Sequence, residues 1–239
     1  MTQNQLQRLT SEPAVFLLIF ISLLLIKLTT NKELGTELIS VYGLMLVGDF
    51  LLFSFGSDIE SQSGNTAQAL LYAGISLVVL FVGFQAVIYI FRQSVLPIPA
   101  TEQQLTQSVF QTIFQSMKKF GTQEIDLSIF AFFNYYVFGF LVAIQETRVI
   151  GRIHGFLARI VNINISDFRS VKTWALIIFV SLLFMYFHLK VRGVNNNIDL
   201  VITFIFAIVQ LWLIGKFREL ESANYMHIGW NSFALFLGK

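Results

Sequence analysis

Seven stretches of this chain are apolar over lengths that suit a helix crossing a bilayer, and this pattern limits the fold more than any other feature. They run over residues 14–28, 36–55, 68–91, 130–160, 173–191, 198–217 and 222–237. Crossing the hydrocarbon core takes about 20 mostly apolar residues in a helix, because no water is present there to satisfy an open backbone. The first stretch is short, and the fourth is long enough to tilt or bend. With 55% hydrophobic and 13% charged residues and a mean hydropathy of +0.69, the 239-residue chain is too apolar for a soluble domain. The expected fold is all-α: a polytopic membrane helix bundle of about seven transmembrane helices, with one amphipathic interfacial helix besides.

All three prolines lie outside the apolar cores: Pro13 at the start of the first stretch, Pro97 and Pro99 after the third. Proline interrupts a helix interior, so the chain divides into a three-span part (1–96), a linker (97–126) and a four-span core (127–239). In the linker Val109, Phe110, Ile113, Phe114, Met117 and Phe120 recur at helical spacing, with glutamines opposite and Lys118-Lys119 near the end. That pattern suits an amphipathic helix lying in the interface, and it equally suits a helix packed on the bundle. A net charge of +2 implies no nucleic-acid surface, and the basic residues near the span ends are explained by snorkelling. The absence of cysteine excludes disulfides, thiolate nucleophiles and cysteine metal ligands. Arg8 precedes the first stretch and Lys27 closes it without a small-residue cleavage site, so the stretch reads as a retained span. Orientation stays open. The loop with Asp58 and Glu60 favours the outside, yet the same topology would put Arg159, Arg169 and Lys172 outside too.

Polar groups within the apolar stretches carry the functional signal, since an ionisable side chain in a membrane span costs free energy unless it meets a cavity or partner. Phe184-x-x-x-His188 and His227-x-x-x-Asn231 hold two of the three histidines, and Glu146 lies in the fourth stretch. Glu146 stands about 14 residues before the 161–170 connection and His188 about 15 after Thr173. At 1.5 Å per residue both lie roughly 20 Å from one membrane face, with His227 entering from that same face at shallower depth. Convergence is expected if the last helix is offset or tilted. Plainer readings compete. His188 could be an interfacial residue beside Lys190 and Arg192, His227 with Asn231 an interhelical hydrogen-bond pair, and Glu146 an ion-pair partner of Arg148, Arg152 or Arg159. Asp49, within LMLVGDFLLF, reads as an ion pair or hydrogen bond inside the bundle, and His154 as a polar position in a basic helix end.

The order and spacing of these motifs resemble the CPBP (Abi) family, which includes the Ras-converting CAAX prenyl endopeptidase. Its members share E-E-x-x-x-R, then F-x-x-x-H, then H-x-x-x-N or D. Here F-M-Y-F-H stands at 184–188 and H-I-G-W-N at 227–231, with about forty residues between successive motifs, and the Trp230-Asn231 pair resembles bacterial members. The resemblance covers roughly residues 100–239. The first motif departs from the pattern: it reads Gln145-Glu146-Thr147-Arg148-Val149-Ile150-Gly151-Arg152. In one register Gln145 replaces the first glutamate and Ile150 the arginine. In the other, Thr147 replaces the second glutamate and Gly151 the arginine. Only a bulged helix would deliver Arg148 or Arg152 to that place.

The resemblance implies a glutamate-dependent intramembrane endopeptidase of the bacterial cell membrane, working without metal or other cofactor. Glu146 would be the general base that draws a proton from the attacking water, and His188 would orient that water or share its proton. His227 and Asn231 would face the developing oxyanion. Gln145, Arg148, Arg152 and Phe184 would support them. The implied substrate is a peptide or a membrane-anchored, for example prenylated, protein presented at the lipid bilayer. Two histidines and a glutamate also form a zinc set, but the H-E-x-x-H spacing is absent and each histidine belongs to a different stretch. Two rivals remain: a non-catalytic CPBP-like scaffold that binds a partner membrane protein, favoured by Gln145 and the displaced arginines, and a transporter or channel, which accounts for Asp49 and Glu146 but not for the ordered histidine motifs.

Overall fold

The computed structural model describes residues 13–24, 32–54, 59, 65–93, 139–191 and 197–237, all helix or short connection. Seven helices occur among them: α1 (Pro13–Leu24), α2 (Lys32–Ser54), α3 (Thr66–Gln93), α4 (Val142–Ile160), α5 (Val171–Val191), α6 (Asn197–Phe217) and α7 (Glu221–Leu237). One helix falls on each apolar stretch of the sequence. The amphipathic linker at 97–126 and the start of the fourth stretch, 130–138, lie outside the described residues.

Three of these helices, α3, α5 and α6, are long and apolar enough to cross a membrane. Within their apolar windows 28%, 39% and 44% of residues are buried; α3 and α5 turn wide apolar faces outward, while α6 is buried or half-buried along nearly its whole length. The outer surface is accordingly apolar, with Leu70, Leu71, Ile75, Val78, Val79 and Val82 exposed on α3 and Ile178, Phe179, Leu182 and Leu183 on α5. A surface of this size and character is the reverse of what a water-soluble monomer shows.

α4 inverts that arrangement. It carries Glu146, Arg148, Arg152 and Arg159, yet 12 of its 19 residues are buried, six of them polar or charged. It packs against α2, α5, α6 and α7, and so forms the centre of the bundle. Helices from both sides of the 97–126 linker share one core. Ala73 and Leu80 of α3 join Ile150 of α4, Ile177 and Val180 of α5, Leu211 and Ile214 of α6 and Met226 of α7.

Local signals set the helix ends. Asn65 caps α3 by accepting a hydrogen bond from the Gln68 amide at 3.2 Å. α4 stops at Asn162, which adopts a left-handed φ of 52°; the Asn162 and Ile163 amides donate back to the carbonyls of Arg159 and Ala158 at 3.2 and 2.8 Å. The 161–170 connection is then tied to the end of α6. Ser166 Oγ donates to the Gly215 carbonyl at 2.7 Å, and Arg218 Nη2 donates to Asn164 Oδ1 at 2.8 Å. Gly215 permits this approach, because a Cβ there would stand 2.7 Å from the Ile165 carbonyl oxygen.

Candidate functional site

Successive residues of an α-helix point about 100° apart, so three consecutive side chains of α4 address three different neighbours. Glu146 turns to α5 and α7, Thr147 to α6 and α7, and Arg148 to α2. Each is at most 1% exposed.

The Glu146 carboxylate lies between the two motif histidines. His188 Nε2 and His227 Nε2 each stand 3.7 Å from the same oxygen, Oε2. His188 comes from the second half of α5 and His227 from the second turn of α7, so the juxtaposition joins residues 42 and 81 positions from Glu146 along the chain. Asn231 is buried one turn beyond His227 on α7, and spacing of four puts the two on one side of that helix.

Each imidazole is oriented from behind. His188 Nδ1 lies 2.9 Å from the Phe184 carbonyl, which can only accept, so the ring proton sits on Nδ1. The Phe184 ring packs on His188 with centroids 4.3 Å apart, so Phe184 supports the histidine through both backbone and ring. A neutral His188 thereby presents the Nε2 lone pair to Glu146. His227 is held differently. Gln210 Nε2 donates to Thr147 Oγ1 at 2.6 Å and stands 3.2 Å from His227 Nδ1, while the Thr147 hydroxyl donates to the Ala143 carbonyl at 2.7 Å. His227 Nδ1 also lies 3.1 Å from Thr147 Oγ1, so the ring is anchored through Nδ1 and turns Nε2 toward Glu146. Phe206 closes the other side of the ring, with centroids 4.8 Å apart. One carboxylate thus has an imidazole Nε2 on each side, each ring anchored through its Nδ1. That arrangement suits proton transfer between Glu146 and one imidazole, with the other placed to donate a hydrogen bond when its Nε2 is protonated.

A second buried cluster lies on the opposite side of α4. Arg148 Nε donates to Asp49 Oδ2 at 2.6 Å, and Arg152 Nε pairs with Asp49 Oδ1 at 3.4 Å. Arg152 Nη1 also donates to the Ile59 carbonyl at 2.6 Å. Phe16 of α1 and Phe53 of α2 cover the two guanidiniums at 4.9 and 5.1 Å. Asp49 is therefore an ion-pair partner inside the bundle, as expected from its place among apolar residues.

The structure accounts for the irregular first motif. Residues 142–160 form one regular α-helix, so Arg148 and Arg152 are delivered to Asp49. The two positions where the family pattern has an arginine are apolar in this fold. Ile150 is buried in the hydrophobic core, and a Cβ on Gly151 would stand 2.5 Å from Leu220 and 3.0 Å from Ile214. Gln145 is fully buried, and its amide has no hydrogen-bond partner among the described residues. Among those residues no three histidine, aspartate or glutamate side chains are grouped to hold a metal ion.

Two members of the site escape a reading of the sequence: Thr147 and Gln210. Gln210 carries a signal, being the one amide within the apolar run Phe204–Ile214, where the cost that marks an intramembrane histidine also applies. Thr147 carries none, because a threonine in a helix ordinarily bonds back to its own turn. Set beside known protein families, curated proteins and solved structures, the chain matches none of them.

Proposed function

We propose that this chain is a multi-pass integral-membrane protein of the bacterial cell membrane and a glutamate-dependent intramembrane endopeptidase of the CPBP type. The observation that carries this reading is the placement of two imidazole Nε2 atoms 3.7 Å from one buried Glu146 oxygen, in a bundle whose outer faces are apolar. Glu146 takes a proton from water as the water oxygen attacks the scissile carbonyl, and His188 receives or shares that proton through its Nε2 lone pair. His227 Nε2–H, with the Asn231 amide one turn away, donates to the oxyanion as it forms. The tetrahedral centre collapses as the amine leaves with the proton, so one water is added across the peptide bond. A low-dielectric site strengthens each of these charge-assisted contacts. Substrates of the expected class are peptides or lipid-anchored protein tails that reach the bundle from the bilayer.

A second reading, a non-catalytic scaffold of the same fold, is favoured by one observation: Arg148 and Arg152 are engaged with Asp49 while the motif's arginine positions are filled by Ile150 and Gly151. One experiment separates the two without an identified substrate. Cells carrying the wild-type chain or Glu146→Gln are compared for the protein termini present in their membranes. The protease produces termini that disappear in the variant at equal protein abundance. Identical sets of termini, with partner proteins still co-purifying, decide for the scaffold.

A further inference from the structure

We propose that Asp49 is a positioning residue for the Glu146 site, setting the rotation of α4 from the far side of the helix. The inference takes the Glu146 cluster as the working site, the reading proposed above, but it concerns geometry and needs no hydrolysis. Arg148 and Arg152 are one turn apart and lie on one face of α4, and both reach the same carboxylate, at 2.6 and 3.4 Å. Glu146 precedes Arg148 by two residues, about 200° around the helix, so fixing the arginine face toward α2 turns Glu146 toward α5 and α7.

The lever is sensitive. A carboxylate about 5–6 Å from the helix axis moves by about 2 Å when the helix rolls by about 20°. That displacement is large against the 3.7 Å separations to His188 and His227. Misplacement of about 1 Å is enough to cost a reaction on the order of 100-fold. The clamp is also stiff. The Phe16 and Phe53 rings cover the guanidiniums, and the Ile59 carbonyl accepts from Arg152. The four groups Asp49, Arg148, Arg152 and Glu146 are each at most 1% exposed and sum to zero charge when both acids are ionised. α1 and α2 lie outside the region that carries the histidine motifs, and their part in the site is to hold the helix that bears the acid.

The test uses the full chain in lipid nanodiscs with ¹⁵N-labelled histidine rings. His154, His188 and His227 are the only three histidines, so each ring can be assigned by removing the others in turn. In Asp49→Asn, the ring nitrogen shifts of both His188 and His227 are expected to move away from their wild-type values. Asp49→Glu is expected to bring them back toward wild type. The charge-balanced Asp49→Asn/Arg152→Gln variant is read in the same way, so a poorly folding single variant does not remove the test. Either variant folding with the wild-type shifts at His188 and His227 overturns the proposal, even if its Tm is lower. Because the shifts need no substrate, a chain that cleaves nothing can still show the coupling, and an active one can fail to show it.

Discussion

α3 and α4 have opposite compositions and opposite places in the molecule. α3 is apolar over Thr66–Phe84 and mostly exposed there, whereas α4 carries four charged residues and is mostly buried. In a water-soluble bundle the two would exchange places. The interior thus holds buried charged and polar groups beside its apolar core. An apolar helix gains little by leaving lipid-like surroundings, while a charged one must find partners. Length and apolarity pick out α3 and α5, with their wide outward faces, and also α6, which lies in the core; α4 fails that criterion because of its buried charged residues.

Substitutions at Glu146 and His188 carry the largest expected effect. If α4 is buried for catalysis, Glu146→Gln and His188→Ala each lower processing by about 10²–10⁴-fold without changing abundance, measured as the rate at which the wild-type-specific termini appear. Unchanged processing would reduce the buried polar face of α4 to packing.

Next in size is Asp49→Asn. Removing one partner of a buried ion pair costs about 3–5 kcal/mol, because the guanidiniums of Arg148 and Arg152 keep their charge in the interior. Denaturation of the detergent-solubilised chain checks this, and a loss below about 1 kcal/mol would mean that the cluster is hydrated or dispensable.

Gly215→Ala probes packing without charge. The added methyl would meet the Ile165 carbonyl oxygen at 2.7 Å, and backbone yields less readily than a side-chain tip, so destabilisation of about 1–3 kcal/mol is expected by the same measurement. The smallest effect belongs to the shell. Val79→Leu on the outer face of α3, where Val79 is 57% exposed, is expected to change stability by no more than about 0.5 kcal/mol. A large effect there would show that α3 is covered by something more specific than lipid.

Much of the frame is legible without coordinates. The seven helices fall on the seven apolar stretches because apolar length is a local property of sequence. His188, His227 and Asn231 stand out because a polar group among apolar neighbours is conspicuous wherever it lies. Gln210 obeys the same rule, but an amide attracts less notice than an imidazole. The fate of Arg148 and Arg152 is not legible at all. Sequence offers Glu146 as their nearest acid, two and six residues away, but a helix turns a neighbour at that spacing toward a different side. Asp49, 99 residues from Arg148, is the acid they meet.

Which segments are helical and which polar groups need a partner can be read along the chain, because both depend on residues within a few turns of one another. The identity of those partners comes from the packing of distant helices. The rotation and offset of α2, α4, α5 and α7 bring Asp49 to Arg148 and Arg152, and Glu146 to His188 and His227. Those quantities are set by ridge-and-groove packing among helices that are distant in the chain. A roll of a few tens of degrees would leave every local pattern intact and dissolve both clusters.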